Sequence, residues 1–377
     1  MRPILRIDPS FPATAPAHEA ALPEGVQLRD ADPALSGDWA RIGNYLASQG
    51  LALDAGTAPR RFAGGLANLN YLVRLADGDW AVFRRPPPGP LPSGAHDMAR
   101  EHRILSRLWE QLPAAPRSLH LCTDPSVAGA PFQLLEFRPG VTLRGTALAP
   151  YPATAQTGQA LSGLLVEGLA RIHSVDPRSV GLDDLGRPEG FLARTVRGWS
   201  QRAQTVCGVG LSTTALQLAD WLARSSEGLG GDGTLLHNDF KLDNLVLDPT
   251  RVETVAVLDW DMGTRGDALF DLATLLSYWT EPGDPDCMHR LAQMPTARPG
   301  FLTREQAAQA YARRTGRSLA GFKVYRILAM FKLGVVFHQL HTRYRTGQDR
   351  DPRYAGFGDL AEDLLRFCQD VANDKTF

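Results

Sequence analysis

The sequence predicts an α+β protein of two lobes, a small antiparallel sheet with one helix followed by a larger and mainly helical lobe. Three observations carry this. Two strand-like runs, "NYLVRL" and "WAVFRR", lie between residues 61 and 85 and meet at an Asp77-Gly78 turn. An amphipathic helix and a buried strand, "PFQLLEF", come next and close on "RPG". Beyond that point the apolar period is helical, interrupted by the short strands "NLVL" and "VAVLDW".

In order along the chain, residues 1–35 carry six prolines and little periodicity, so residues 1–37 read as an extended arm. A helix is expected over 39–51. The glycine pair Gly64-Gly65 opens the first hairpin, and the proline-rich run at 86–92 excludes a helix there. The helix expected over 97–112 sets Met98, Leu105, Leu108 and Leu112 on one stripe, with Glu101 within about 40° of Leu105 and Leu108 at 100° per residue. A carboxylate pointing into an apolar face needs a cation; Glu101 is either in a structural ion pair or at an edge position, or it pairs with a basic residue on the neighbouring strand. The strand at 131–137 is a natural hinge, which divides the chain into a lobe over 38–137 and a second over 138–377. Helices are expected at 158–174, 191–205, 212–226, 267–279, 303–314 and 323–345.

Composition bounds the function. In 377 residues, 40 Lys and Arg balance 41 Asp and Glu, which speaks against nucleic-acid binding by bulk charge. Cys122, Cys207, Cys287 and Cys368 are far apart and form no CxxC pair, which fits a reducing cytosol better than a zinc site or disulfide framework. No apolar run is long enough to span a membrane and no secretory h-region opens the chain, so a cytoplasmic protein is expected.

The chemistry concentrates in "LLHNDFKLDNLVLD", where polar side chains sit between apolar runs and therefore need partners. If strands 245–247 and 255–258 pair as a hairpin, Asn244 comes close to Asp259. An amide oxygen and a carboxylate meeting there suit Mg²⁺, a hard ion that takes oxygen ligands and substrate phosphates. Asp239, five residues before Asn244, is placed to accept a proton from a hydroxyl that attacks a phosphate.

"HNDFKLDN" followed by "LDWD" resembles the aminoglycoside phosphotransferase and choline kinase family, which has a protein-kinase-like fold. The resemblance covers roughly residues 38–345. Through "GGLANLNYLV", "FLARTVRGWSQR" and "AVLDWDMGTRGDALFDLATLLSYW" the chain looks most similar to the phosphotransferase domain associated with long acyl-CoA dehydrogenases. The resemblance implies an ATP- and Mg²⁺-dependent kinase with Asp239 as catalytic base, and Asn244 and Asp259 as metal ligands. It places Gly64, Gly65 and Asn68 over the nucleotide phosphates, Arg84 on those phosphates, Glu101 as the helix carboxylate, and the backbone of Glu136 and Phe137 at the adenine. Asp267 and Asp271 would brace the loop.

Two positions depart from the pattern: Arg84 stands where kinases usually have lysine, and Asn238 where glycine is common. Arg84 keeps the charge and grips phosphate bidentately, without being equivalent to lysine. His237 is read as holding the loop through a backbone hydrogen bond, and His173 as capping a helix. Trp199 and Arg197 either line an acceptor pocket or pack as a helix face. The helix at 323–345 carries Lys323, Arg326, Lys332, Arg343 and Arg345 with no acid. It is either a solvated basic face or a surface for a phosphate-bearing acceptor such as a hydroxyacyl-CoA, and it argues against polycationic aminoglycosides. The expected partner is a small molecule with a hydroxyl, not nucleic acid or membrane. An aminoglycoside or choline-type kinase, and a nucleotide-binding module without turnover, are the alternatives; a pure binder has no need of Asp239.

Overall fold

A helix α1 (Trp39–Ser48) and a two-residue strand β1 (Arg60–Arg61) lead into the predicted hairpin of β2 (Leu69–Arg74) and β3 (Trp80–Arg85). The computed structural model describes residues 22–23, 26–29, 38–63, 68–87, 96–207, 212–231 and 233–377. Most of the N-terminal arm and both Gly64 and Gly65 therefore lie outside the described residues. In the hairpin Leu69 faces Arg85 and Arg74 faces Trp80. Gly78 makes the turn with a φ of 100°, a region closed to most side chains.

Strands β4 (Ser118–Cys122) and β5 (Phe132–Glu136) complete a five-stranded antiparallel sheet in the order β1-β2-β3-β5-β4. Its inner face packs Tyr71, Phe83, Phe132 and Leu134 on Ile42 and Leu46 of α1. The helix expected over 97–112 is shorter: α2 runs Met98–Leu105 and gives way to a 3₁₀ turn at Leu108–Glu110. The Ser106 hydroxyl donates to Arg103 O at 3.3 Å, a bond that competes with the helical ladder. Pro113 then forbids a return to helix. The apolar stripe survives the break, since Met98, Leu105, Leu108 and Leu112 are all buried.

Residues Ile104, Leu105 and Leu108 join the core of the larger lobe rather than that of the sheet. Helix α2 thus belongs to the small lobe by sequence and to both by packing. After β5 the chain crosses at Gly140, where a Cβ would collide with Leu247 O and Val246, so only glycine allows the link to lie this close to the larger lobe. Val141 N–H donates to Leu247 O at 2.9 Å and Leu247 N–H returns the bond at 2.8 Å.

The larger lobe contains α4 (Ala155–Ser174), α5 (Phe191–Cys207), α6 (Thr213–Ser225), α7 (Ala268–Ser277), α9 (Arg304–Thr315) and α10 (Phe322–Arg345), each within three residues of its expected bounds. Short helices α3 (Pro125–Ala128) and α8 (Asp286–Leu291), and a long α11 (Phe357–Ala372), are additions to the sequence reading. Helix α10 corrects an expectation. Its basic residues form neither one solvated face nor one binding face: Arg326 and Lys332 are buried or nearly so, and Lys323 pairs with Asp374 at 2.6 Å. The helix buries apolar residues on every side, as a central helix does. No helix among the described residues is long and apolar enough to cross a membrane.

Candidate active site

Two short antiparallel strand pairs frame the polar cluster. Strands β6 (Thr234–Leu236) and β9 (Thr264–Gly266) pair antiparallel, as do β7 (Leu245–Leu247) and β8 (Thr254–Val257). The second pairing is the predicted one, and Leu258 N–H donates to Asn244 O at 2.8 Å. Asn244 and Asp259 therefore lie side by side at the open end of the hairpin, and both line a cavity of about 620 Å³.

His237 is fully buried. Its Nε2 donates to Leu258 O at 2.8 Å while Nδ1 accepts from Asp239 N–H at 3.3 Å, which assigns the tautomer and makes it a loop-holder. Asn238 adopts a φ of 66°, a left-handed backbone that asparagine tolerates better than most residues, which accounts for the replacement of glycine. The loop is pinned from below by Asp271, inside α7. Its carboxylate accepts from His237 N–H at 2.7 Å and Asn238 N–H at 2.8 Å. Asp267 does not share that task. It caps α7 by accepting from Leu269 N–H at 3.1 Å and takes the Tyr325 hydroxyl. His173 is likewise no helix cap: it is buried in α4, with Nε2 3.2 Å from Asp271 Oδ2 and Nδ1 2.6 Å from the Tyr311 hydroxyl. It holds the residue that holds the loop.

Asp239 is surrounded by donors. Tyr278 Oη reaches Oδ1 at 2.9 Å, and Lys241 Nζ and Asn244 Nδ2 reach Oδ2 at 2.6 and 3.1 Å. Burial alone would raise the pKa of Asp239, but Lys241 and Lys332 outweigh it and hold the group below the usual carboxylate value. Tyr278 is raised by burial and by Asp239, so its hydroxyl remains a donor. Lys332 Nζ donates to Asn238 O at 3.0 Å. Neither Tyr278 nor Lys332 carries a local sequence signal for this contact, since each arrives from a distant helix.

Across the cleft, Arg84 Nε donates to Glu101 Oε2 at 2.7 Å, and Nη2 pairs with Asp259 Oδ1. Glu101 has two further partners, the Gln133 amide and the backbone N–H of Trp260 at 3.1 Å. One carboxylate on α2 therefore ties β3, β5 and the segment after β8. Burial works against the charge on Arg84, but Glu101 and Asp259 raise its pKa and keep it a cation. Asp259 itself sits at a φ of 68°.

The remaining expected residues fall into place unevenly. Glu136 and Phe137 line the cavity beside Val82, Leu135, Val246 and Leu258. Asn68 is buried, with Oδ1 2.9 Å from His96 Nδ1, and is not among the residues lining the cavity. Trp199 packs on the large core, and Arg197 is exposed.

The donor set fits a hard cation. The Asn244 amide nitrogen is committed to Asp239, which leaves its oxygen as the ligand atom, and the Asp259 carboxylate faces the same cavity. Asp243, also lining it, has a buried Oδ1 without a hydrogen-bond donor and is pushed up by burial to about 6. Oxygen ligands without sulfur or imidazole suit Mg²⁺.

Residues 59–319 match the phosphotransferase enzyme family. Over 322 residues the chain is 30% identical to acyl-CoA dehydrogenase family member 10 of Mus musculus, covering 84% of this chain and 29% of that protein. The chain thus spans under a third of this curated relative. Among solved structures it superposes with a TM-score of 0.72 on a Ralstonia eutropha protein provisionally designated an aminoglycoside phosphotransferase, at 23% identity over 89% of this chain and 98% of that one. A ternary complex of aminoglycoside phosphotransferase APH(4)-Ia with AMP-PNP and hygromycin B gives 0.57 at 16% identity, over 88% and 97% of the two chains. These likenesses show the kinase-like fold.

Proposed function

Because the chain belongs to the phosphotransferase enzyme family, we propose that it is an ATP- and Mg²⁺-dependent kinase that transfers the γ-phosphoryl group to the hydroxyl of a small molecule. The observation that carries this is the convergence of Asn244, Asp259, Arg84 and Glu101 on one cleft, drawn from elements up to 175 residues apart, with Asp239 beside it at 3.1 Å from the Asn244 amide. Val82 and Leu135 from the sheet, with Val246 and Leu258 from below, form the apolar walls a flat base needs, and the backbone of Glu136 and Phe137 lies along its edge.

In this reading Arg84, oriented by Glu101, binds the nucleotide phosphates, and Asn244 and Asp259 would hold the metal, which when bound neutralises charge on the phosphates. Asp239 Oδ1 orients the acceptor hydroxyl and takes its proton, while the Tyr278 hydroxyl continues to donate to the second lone pair of that oxygen. Lys241 keeps Oδ2 occupied, so one oxygen is left for the acceptor. Among acceptors, a hydroxyacyl-CoA is favoured. The match to an acyl-CoA dehydrogenase family member supports it.

The test is ATP consumption against panels of hydroxyacyl-CoAs, aminoglycosides and amino alcohols, run with wild type and Asp239→Asn. Turnover confined to the first panel, and lowered by on the order of 10² or more in the variant, is expected. Near-normal turnover in Asp239→Asn would remove the assigned base.

A further inference from the structure

The arm segment at residues 26–29 is built into the mouth of the cleft. Arg29 N–H donates to Arg61 O at 2.8 Å, and Ala63 N–H donates to Gln27 O at 2.8 Å. Leu28 forms an antiparallel bridge with Phe62, and Arg29 Nε reaches Ala63 O at 3.2 Å. The segment therefore extends the sheet by one short strand beyond β1, on the sheet's outer edge. This pairing sends Val26 and Gln27 into the lining of the cavity, beside Phe62, Phe137 and Arg138. The Phe62 and Phe137 rings lie 6.4 Å apart and complete that wall.

We propose that Val26 and Gln27 are nucleotide-binding residues, and that the segment is a strap seated across the outer, base end of the cleft, where it holds a bound adenine nucleotide in place. The inference rests on the kinase reading of the cleft. It goes beyond the family's own portion of the chain, since the match begins at residue 59. The physical case has three parts. The far end of the cavity already carries the phosphate-directed groups Arg84, Asn244 and Asp259, so the nucleotide's orientation puts its base toward Glu136, Phe137 and the strap. Val26 adds apolar contact to a base sandwiched by Val82 and Val246, and Gln27 offers an amide with both donors and an acceptor at the rim. The strap is held by main-chain hydrogen bonds to an otherwise open sheet edge, so it is seated before the ligand arrives and little ordering entropy is lost on binding.

Such an element acts on the dissociation rate more than on the association rate. The test uses the full chain, ADP with Mg²⁺ as probe, and two variants. Val26→Ala/Gln27→Ala truncates the contacts and leaves the strand pairing. Arg29→Pro removes the N–H that pairs with Arg61 O. Calorimetry and stopped-flow dissociation should show weaker binding in both, by at least about fivefold and mainly through faster release. The thermal midpoint of the nucleotide-free double variant should match wild type. Variants with wild-type affinity and release rate would overturn the strap, as would an Arg29→Pro protein that melts earlier yet binds ADP normally, because the segment would then serve only to cover the sheet edge. A wild-type protein that binds neither ADP nor ATP overturns instead the kinase reading on which the strap depends.

Discussion

Arg84 makes two ion pairs at once, one to Glu101 from Nε and one to Asp259 from Nη2, using the separated donors of a planar guanidinium. A lysine would have to divide a single ammonium between them. Removing one member of a buried pair commonly costs about 3–5 kcal/mol, and Glu101, at 1% exposure, is such a member. Glu101→Ala is expected to lose about 3 kcal/mol, toward the low end because Arg84 keeps Asp259. A double-mutant cycle with Arg84→Ala, read in urea midpoints and ATP turnover, checks the coupling; strict additivity would mean that the two side chains do not interact. Tyr278 offers a second residue-scale prediction. Tyr278→Phe deletes the hydroxyl on Asp239 Oδ1 and leaves the ring under Lys241, 4.8 Å from its ammonium. Turnover should fall by about tenfold, a loss within the span of one transition-state contact, with KM for ATP unchanged. A rise in KM for ATP with unchanged kcat would place Tyr278 in nucleotide binding instead.

Among the elements, α7 has a part that its own amphipathic pattern conceals. All ten of its residues are buried, and Asp271 in their midst accepts the two backbone N–H groups that shape the loop before Asp239. Burial would raise the pKa of Asp271, but His173, His237 and the backbone donors lower it below the ordinary carboxylate value. A group depressed in the folded state adds stability above its unfolded pKa of about 3.9 and loses it as pH falls through the folded value. Asp271→Asn keeps the shape but removes the charge and turns one acceptor into a donor, at an expected cost of about 2–3 kcal/mol near neutrality. The gap in urea midpoint should hold constant from pH 8 to about 5 and shrink only below about 4. A gap that widens on acidification would show that Asp271 is not the charged brace.

At the scale of the whole molecule, α2 joins the lobes. Its apolar stripe packs on the larger core, and Glu101 on the same helix reaches Trp260 N–H across the cleft. A ligand that bridges Arg84 above and Asp259 below stabilises both lobes together. At a hundredfold excess over its Kd, MgATP should add about 2.7 kcal/mol to the folded state. A thermal scan with ATP alone, with Mg²⁺, and with Mg²⁺ plus EDTA checks this. The upward shift should depend on Mg²⁺ and vanish in Asp259→Ala. A shift equal with and without metal in both proteins would remove Asp259 as a ligand.

The sequence by itself determined the β2–β3 and β7–β8 hairpins, the strand β5, the main helices of the larger lobe, and Glu101, Asp239, Asn244 and Asp259 as the residues of interest; β1, β4, β6, β9, α3, α8 and α11 were not read from it. Alternation and helical period are local properties, and the spacing of Asp239, Asn244 and Asp259 around one hairpin is too. Glu101 was legible because a carboxylate on an apolar stripe must have a cation. Tertiary structure alone decided what surrounds them. Tyr278 and Gln133 reach Asp239 and Glu101, and the arm segment reaches the cleft, from positions set by packing, and no period in the chain points to them. The same reason explains the misreadings. His173 looks like a helix-end residue until α7 and α9 close over it with Asp271 and Tyr311. The basic residues of α10 read as one face until burial separates Arg326 and Lys332 from the rest. Burial is a property of the whole fold, and it decides whether a polar side chain faces water, a partner or a substrate.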